Sequence, residues 1–181
     1  EPYRFDLLLG FLQMRAIEGV EAVLDGAYWR VVRSSDGERA GWIKVENDPS
    51  HRRLAVTISP ELFDDIPSVL ARTRRLFDTD CVPGAVEQGL ADFYEHAGEA
   101  YRIPGIRVPC AFYGFEMATR AILGQQITVK AASTLAGRVA REFGTQTKGP
   151  IPELTCAFPL PQAFCAQDAP ARLGEIGVIA Q

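Results

Sequence analysis

The sequence has little with which to hold a metal. Its four cysteines, Cys81, Cys110, Cys156 and Cys165, are separated by 29, 46 and 9 positions, with no Cys-x-x-Cys pair and only His51 and His96 as further soft ligands. That spacing excludes the standard zinc and iron–sulfur frameworks, so neither a metal nor a cofactor is expected. Four scattered thiols point to a reducing cytosol rather than a disulfide-stapled secreted domain. Long apolar runs are missing too. The stretch Leu7 to Leu12 is half a signal core, follows Asp6 and lacks a small-residue cleavage pattern, so it reads as buried helix; neither export nor a membrane is expected. There is no fixed repeat and no low-complexity tract. Positive charge is also short: 19 Lys and Arg against 23 Asp and Glu leave a net −4. A polycation that coats nucleic acid is excluded, and any such contact is confined to a local site.

What the chain does have is an ordinary globular composition. At 181 residues and 47% hydrophobic content it suits one large or two small domains and can bury about 70% of its unfolded surface. The first 78 residues mix two periodicities. A helix is expected over Asp6 to Arg15, a strand over Tyr28 to Arg33, a tight turn at Asp36-Gly37 and a returning strand from Gly41 to Glu46. Leu54, Val56 and Ile58 alternate with Ala55 and Thr57 in a third strand. Ser59 then reads as the cap of a helix with Pro60 at its first position and a buried stripe of Leu62, Ile66, Val69, Leu70, Thr73 and Phe77. Arg72, Arg74 and Arg75 fall largely off that stripe and read as a solvated face.

Beyond Asp78 the pattern turns helical, with Val82 to His96 a first candidate. Domains are expected at 1–78 and 79–181. The most informative stretch is Arg120-Ala121-Ile122-Leu123-Gly124-Gln125-Gln126-Ile127-Thr128. Upstream, Phe112, Phe115, Thr119, Ile122 and Leu123 follow helical spacing. Downstream, Ile127, Ala131, Leu135, Val139 and Phe143 recur every four residues until Gly144. Two helices therefore meet at Gly124, which is expected to supply a left-handed turn and leave Gln125 and Gln126 at the corner. Residues 113 to 148 carry Arg120, Lys130, Arg138, Arg141 and Lys148 against Glu116 and Glu142, a local surplus compatible with contact to a phosphate backbone and equally with plain solvation. Pro150, Pro152, Pro159 and Pro161 make 148–162 a stiff connector expected to wrap the helical domain.

These residues resemble a known family. Pro104-Gly105-Ile106-Arg107-Val108-Pro109, Phe115-Glu116 and the run Arg120 to Thr128 are similar to the signature of AlkA-type 3-methyladenine DNA glycosylases of the helix-hairpin-helix superfamily. Pro2-Tyr3-Arg4-Phe5-Asp6, Leu9-Gly10-Phe11-Leu12, Arg15 and Arg75-Leu76-Phe77-Asp78 agree with it. The resemblance implies an α+β fold: a small antiparallel sheet with helices, TATA-binding-protein-like, followed by part of an all-helical glycosylase domain. It implies one further strand upstream of Glu1. It also implies that the hairpin and catalytic aspartate lie beyond Gln181, so no catalytic residue is expected within this chain. Ile103-Pro104-Gly105-Ile106 imitates half a hairpin, but Arg107 replaces the second glycine and Val108-Pro109 forbids an immediate helix start. Leu173 to Gly177 offers glycines with no second helix after them.

By the same resemblance, Gln126, with Gln125 beside it, is the side chain inserted into the minor groove when a damaged nucleotide is flipped out. Phe11 in the company of Leu7, Leu8, Leu9 and Leu12 reads as plain core; the resemblance moves it to the base pocket, where a ring attracts a cationic alkylated purine by about 0.5 to 2 kcal/mol. Arg15 shares its helix face and is carried over as substrate-binding, either near the base or paired with a carboxylate at the domain junction. The implied partners are double-stranded DNA with alkylated bases and the remaining half of the helical domain, in the cytoplasm with the nucleoid. Two other functions stand beside the alkylbase glycosylase: an oxidised-purine glycosylase of the same superfamily, and a non-catalytic segment of an Ada-like alkylation-response regulator.

Overall fold

The computed structural model describes residues 2–178. The chain opens with α1 (Phe5–Arg15), whose Phe5, Leu8, Leu9 and Leu12 are buried, with Asp6 in its first turn and Arg15 in its last, the placement that complements a helix dipole. Four antiparallel strands follow in the order β1 (Glu21–Leu24), β2 (Ala27–Arg33), β3 (Ala40–Asp48) and β4 (Arg53–Ile58). β1 was not expected from the sequence. Its turn, Asp25-Gly26, places two consecutive residues at positive φ, 52° and 73°, the conformation that matches the twist of a two-residue hairpin. That turn sets a register in which Leu24 faces Ala27 and Glu21 faces Arg30.

Because side chains alternate across a strand, the register sorts the sheet into two faces. One face carries Tyr28, Val32, Ile43 and Val45 under α1 and α2 (Ile66–Leu76), with Leu54, Val56 and Ile58 closing its edge. The expected stripe holds except for Leu70, which is exposed, while Leu76 is buried beside Phe77. Ser59 does not cap a helix. Its hydroxyl accepts the backbone N–H of Trp42 across the sheet at 3.0 Å, and a 3-10 turn over Pro60–Asp65 intervenes before α2. Arg72 is not simply solvated either, since its guanidinium lies 4.7 Å from the Tyr113 ring.

The other face of the sheet, Trp29, Val31, Ala40 and Trp42, meets Ile151, Leu154 and Ala157. The proline-rich connector packs on both layers, with Ile151, Leu154 and Ala157 against the sheet and Cys156 and Phe158 against Val139, Ala140 and Phe143 of the helical core. Its anchor is Gly19, whose carbonyl accepts the N–H groups of Thr155 and Cys156 at 2.8 and 3.0 Å. The expected helix over Val82 to His96 is divided into α3 (Pro83–Gly89) and α4 (Ala91–Ala97), with the break at Leu90. Then come α5 (Gly114–Leu123), α6 (Val129–Phe143), the short strands β5 (Thr145–Gln146) and β6 (Cys156–Ala157), and α7 (Ala169–Glu175). A second core joins Ile17 and Val20 to Val139, Ala140 and Phe143 of α6, so the segment after α1 is shared between sheet and helices. No helix among the described residues is long and apolar enough to cross a membrane.

Candidate functional site

α1, α5 and α6 enclose a cavity of about 340 Å³. Its floor is charged. Arg30, 1% exposed, donates from Nη1 to Glu21 Oε1 at 2.7 Å and from Nη2 to Glu116 Oε2. Arg120 bridges the same pair, 3.2 Å from Glu21 Oε2 and 3.6 Å from Glu116 Oε1, and its other nitrogen donates to the carbonyl of Arg15 at 2.5 Å. The Tyr28 hydroxyl donates to Glu21 Oε1 at 2.5 Å. Two carboxylates thus meet two guanidiniums below the cleft, and the Arg30 guanidinium also lies 4.7 Å from the Phe112 ring.

The two carboxyl groups are not equivalent. Burial opposes ionisation of Glu21, but Arg30, Arg120, the Tyr28 hydroxyl and the Ile17 N–H together hold its carboxyl below the usual value. At Glu116 burial dominates and Glu21 repels, so that carboxyl is pushed up despite Arg30. Burial also opposes the charge on Arg30, yet the carboxylates keep it firmly protonated. The side-chain Nε of Arg30 is buried without a hydrogen-bond partner among the described residues.

The rim is different. Phe11 and Arg15 both line the cavity, the ring 37% exposed and the Arg15 guanidinium carbon 3.9 Å from its centroid. Of the two alternatives for Arg15, a carboxylate partner is not found among the described residues; what it touches is Phe11. Phe11 likewise is not plain core. Gly124 and Ile127 line the cavity from the corner, while Gln125 and Gln126 stand exposed beside it.

The corner departs from expectation in its backbone. α5 ends at Leu123, and Gly124 is right-handed, φ −84° and ψ −2°. A Cβ there would sit 3.1 Å from the Arg120 carbonyl of α5 itself and in ordinary contact, 3.7 Å, with Ala132 Cβ of α6, so the tight neighbour is the end of its own helix. The left-handed turn falls on Gln126, φ 59°, a conformation that costs a non-glycine residue roughly 1–2 kcal/mol. Thr128 then caps α6, its hydroxyl accepting the Ala131 N–H at 3.2 Å. The basic surplus is only partly engaged, with Lys130 and Lys148 exposed. Arg120 turns inward, Arg141 meets Glu18 at 3.0 Å and Arg138 donates to the Ile176 carbonyl at 3.0 Å.

The floor was missed in the sequence although its parts were legible. Glu116 and Arg120 stand at i and i+4 on one helix. The Asp25-Gly26 turn, counted outward, pairs Glu21 with Arg30. Among the described residues no three of His, Cys, Asp and Glu gather as a metal site.

The family model of the AlkA N-terminal domain matches residues 1–113. The chain belongs to this family. It is 36% identical over 177 residues to DNA-3-methyladenine glycosylase 2 of Escherichia coli (strain K12), covering 98% of this chain and 59% of that protein. It is 35% identical over 158 residues to a probable bifunctional transcriptional activator/DNA repair enzyme AlkA of Mycobacterium tuberculosis, covering 87% of this chain and 31% of the relative. The AlkA-type chain therefore spans from about a third to three fifths of the curated relatives it matches. Its α+β fold is similar to that of a 3-methyladenine DNA-glycosylase from Archaeoglobus fulgidus, with a TM-score of 0.79 at 20% identity over 98% of this chain and 60% of that one. An 8-oxoguanine glycosylase/lyase of Clostridium acetobutylicum in complex with double-stranded DNA shares the fold with a TM-score of 0.56 at 12% identity, over 90% and 61%.

Proposed function

We propose that this chain is the base-recognising and duplex-bracing part of a DNA glycosylase that flips alkylated purines out of double-stranded DNA and releases them by N-glycosidic hydrolysis. The observation that carries the reading is the cleft itself, with an aromatic ring half open to solvent on one wall and two exposed amides on a turn beside it. The ring of Phe11 offers a π-face to an extruded base, and a cationic alkylated purine gains most from it. Gln126, with Gln125, fills the gap in the stack. In this reading residues 1–78 form the sheet domain and 79–181 part of the helical domain.

Hydrolysis itself is assigned elsewhere. Both carboxylates at the cleft are engaged by arginines, so neither is free to stabilise positive charge on a sugar. The chain alone is expected to bind and not to cleave, and the exposed apolar side chains of Met117, Ile122 and Val129 suit packing against further protein of the same domain. The 36% identity to an alkyl-purine enzyme favours this substrate class over oxidised purines. The mycobacterial relative, a probable bifunctional transcriptional activator and DNA repair enzyme, keeps one second reading, a repair segment carried within a regulator.

The test compares excision of cationic 3-methyladenine and neutral hypoxanthine by full-length wild type and Phe11→Ala. A loss several-fold larger for the cation supports the assignment; equal losses remove the ring from base recognition.

A further inference from the structure

The cleft holds three arginines in two ways. Arg30 and Arg120 are fastened to Glu21 at 2.7 and 3.2 Å. The side chain of Arg15 has neither an ion pair nor a hydrogen bond among the described residues; its guanidinium rests on the Phe11 ring, 3.9 Å from the centroid, inside the cavity that both residues line. A guanidinium is planar, delocalised and permanently charged, and stacks on aromatic faces. It therefore resembles, in shape and charge, the cationic base that the ring is proposed to receive.

We propose that Arg15 sets the base specificity of the cleft by occupying the Phe11 face as a resident cation, which an incoming base must displace. The proposal rests on the reading of the cleft as a base pocket. Two consequences follow from one face admitting one partner at stacking distance. Any base, neutral or charged, must break the Arg15–Phe11 contact on entry. A cationic base meets a further cost, because the displaced guanidinium stays tethered to α1 at the edge of the cleft and repels it. Arg15 thus offsets the ring's intrinsic preference for cations and widens the range of bases the cleft accepts. Its carbonyl, held by Arg120 at 2.5 Å, fixes the backbone at that point while the side chain remains without a polar tie. Motion of the side chain alone is then enough to open the ring.

The experiment titrates the full-length protein, Arg15→Gln and Phe11→Leu with 7-methylguanosine, at mildly acidic pH where its ring is cationic, and with guanosine as the neutral counterpart. Protein-observed NMR reads both affinities. Arg15→Gln is expected to raise the ratio of cationic to neutral affinity by roughly 2- to 30-fold, the span of one cation–aromatic contact. Phe11→Leu is expected to lower the ratio in the wild-type and the Arg15→Gln background alike. If the ratio is unchanged or falls in Arg15→Gln while Phe11→Leu still lowers it, the base pocket stands and the resident-cation role is overturned. If neither nucleoside binds, or Phe11→Leu leaves the ratio untouched, the base-pocket reading fails and takes this proposal with it.

Discussion

The floor and the rim of the cleft both carry arginine and use it in opposite ways. On the floor, Arg30 and Arg120 are interleaved with Glu21 and Glu116; Arg30 and both carboxyls are almost wholly withdrawn from water, and Arg120 is half-buried. On the rim, the Arg15 guanidinium rests on the Phe11 ring with no polar partner among the described residues, and Gln125 and Gln126 are exposed. Charge that is buried and paired holds β1, β2 and α5 in place; charge and amides left without polar partners are available to a ligand. A count of arginines in the helical segment does not separate these roles, whereas their partners do.

The comparison breaks most visibly if the floor is cut. Arg30→Met removes the buried guanidinium between Glu21 and Glu116 and leaves Arg120 as the one charged partner for both among the described residues; urea unfolding is expected to show a loss of about 3–5 kcal/mol. Arg15→Gln on the rim should stay within about 0.5 kcal/mol of wild type. Comparable losses in the two variants would erase the distinction between floor and rim.

A smaller effect comes from the corner. Gln126→Gly relieves a left-handed side chain and is expected to stabilise the fold by up to about 1 kcal/mol, visible as a raised urea midpoint. A lowered midpoint would mean that the Gln126 side chain supports the fold rather than standing ready for a partner.

The pH dependence sharpens the floor further, with opposite signs at its two carboxyls. Glu21, held below its usual value of 4.5, adds stability that is full above that pH and is lost as pH falls through its folded value. Glu116 is raised above 4.5, so its contribution is greatest below that pH and is lost as pH rises through its folded value. Glu116→Gln should therefore show a flatter stability profile than wild type above pH 4.5, measured by urea midpoints across the range. The smallest change is expected at the exposed Arg141–Glu18 pair, where Glu18→Gln should leave the midpoint unmoved.

Much of this fold was legible in the sequence wherever one periodicity ran long enough. The alternation of Leu54, Val56 and Ile58 located β4, and the four-residue recurrence up to Phe143 located α6. β1 escaped because four residues between a helix and a turn carry little periodicity, although Asp25-Gly26 marked it. Ser59 and Gly124 were read by local habit, as a helix cap and a left-handed turn. The structure differs at both: the Ser59 hydroxyl is claimed by the Trp42 N–H across the sheet, and Gly124 keeps the right-handed conformation of the helix end while Gln126 takes the left-handed one. For the site, Phe11, Arg15 and the two amides were named from the resemblance, while the buried charge floor depends on residues 86 positions apart and no local pattern joins Arg30 to Glu116.

The account rests on the corner amides entering a duplex. The direct measurement places 2-aminopurine beside a single hypoxanthine in a DNA duplex and follows its fluorescence on titration with full-length wild type and Gln126→Ala. The expected result is a fluorescence rise with wild type and an affinity roughly tenfold weaker, about 1.4 kcal/mol, for Gln126→Ala. An equal rise at equal affinity in the two proteins would contradict the account.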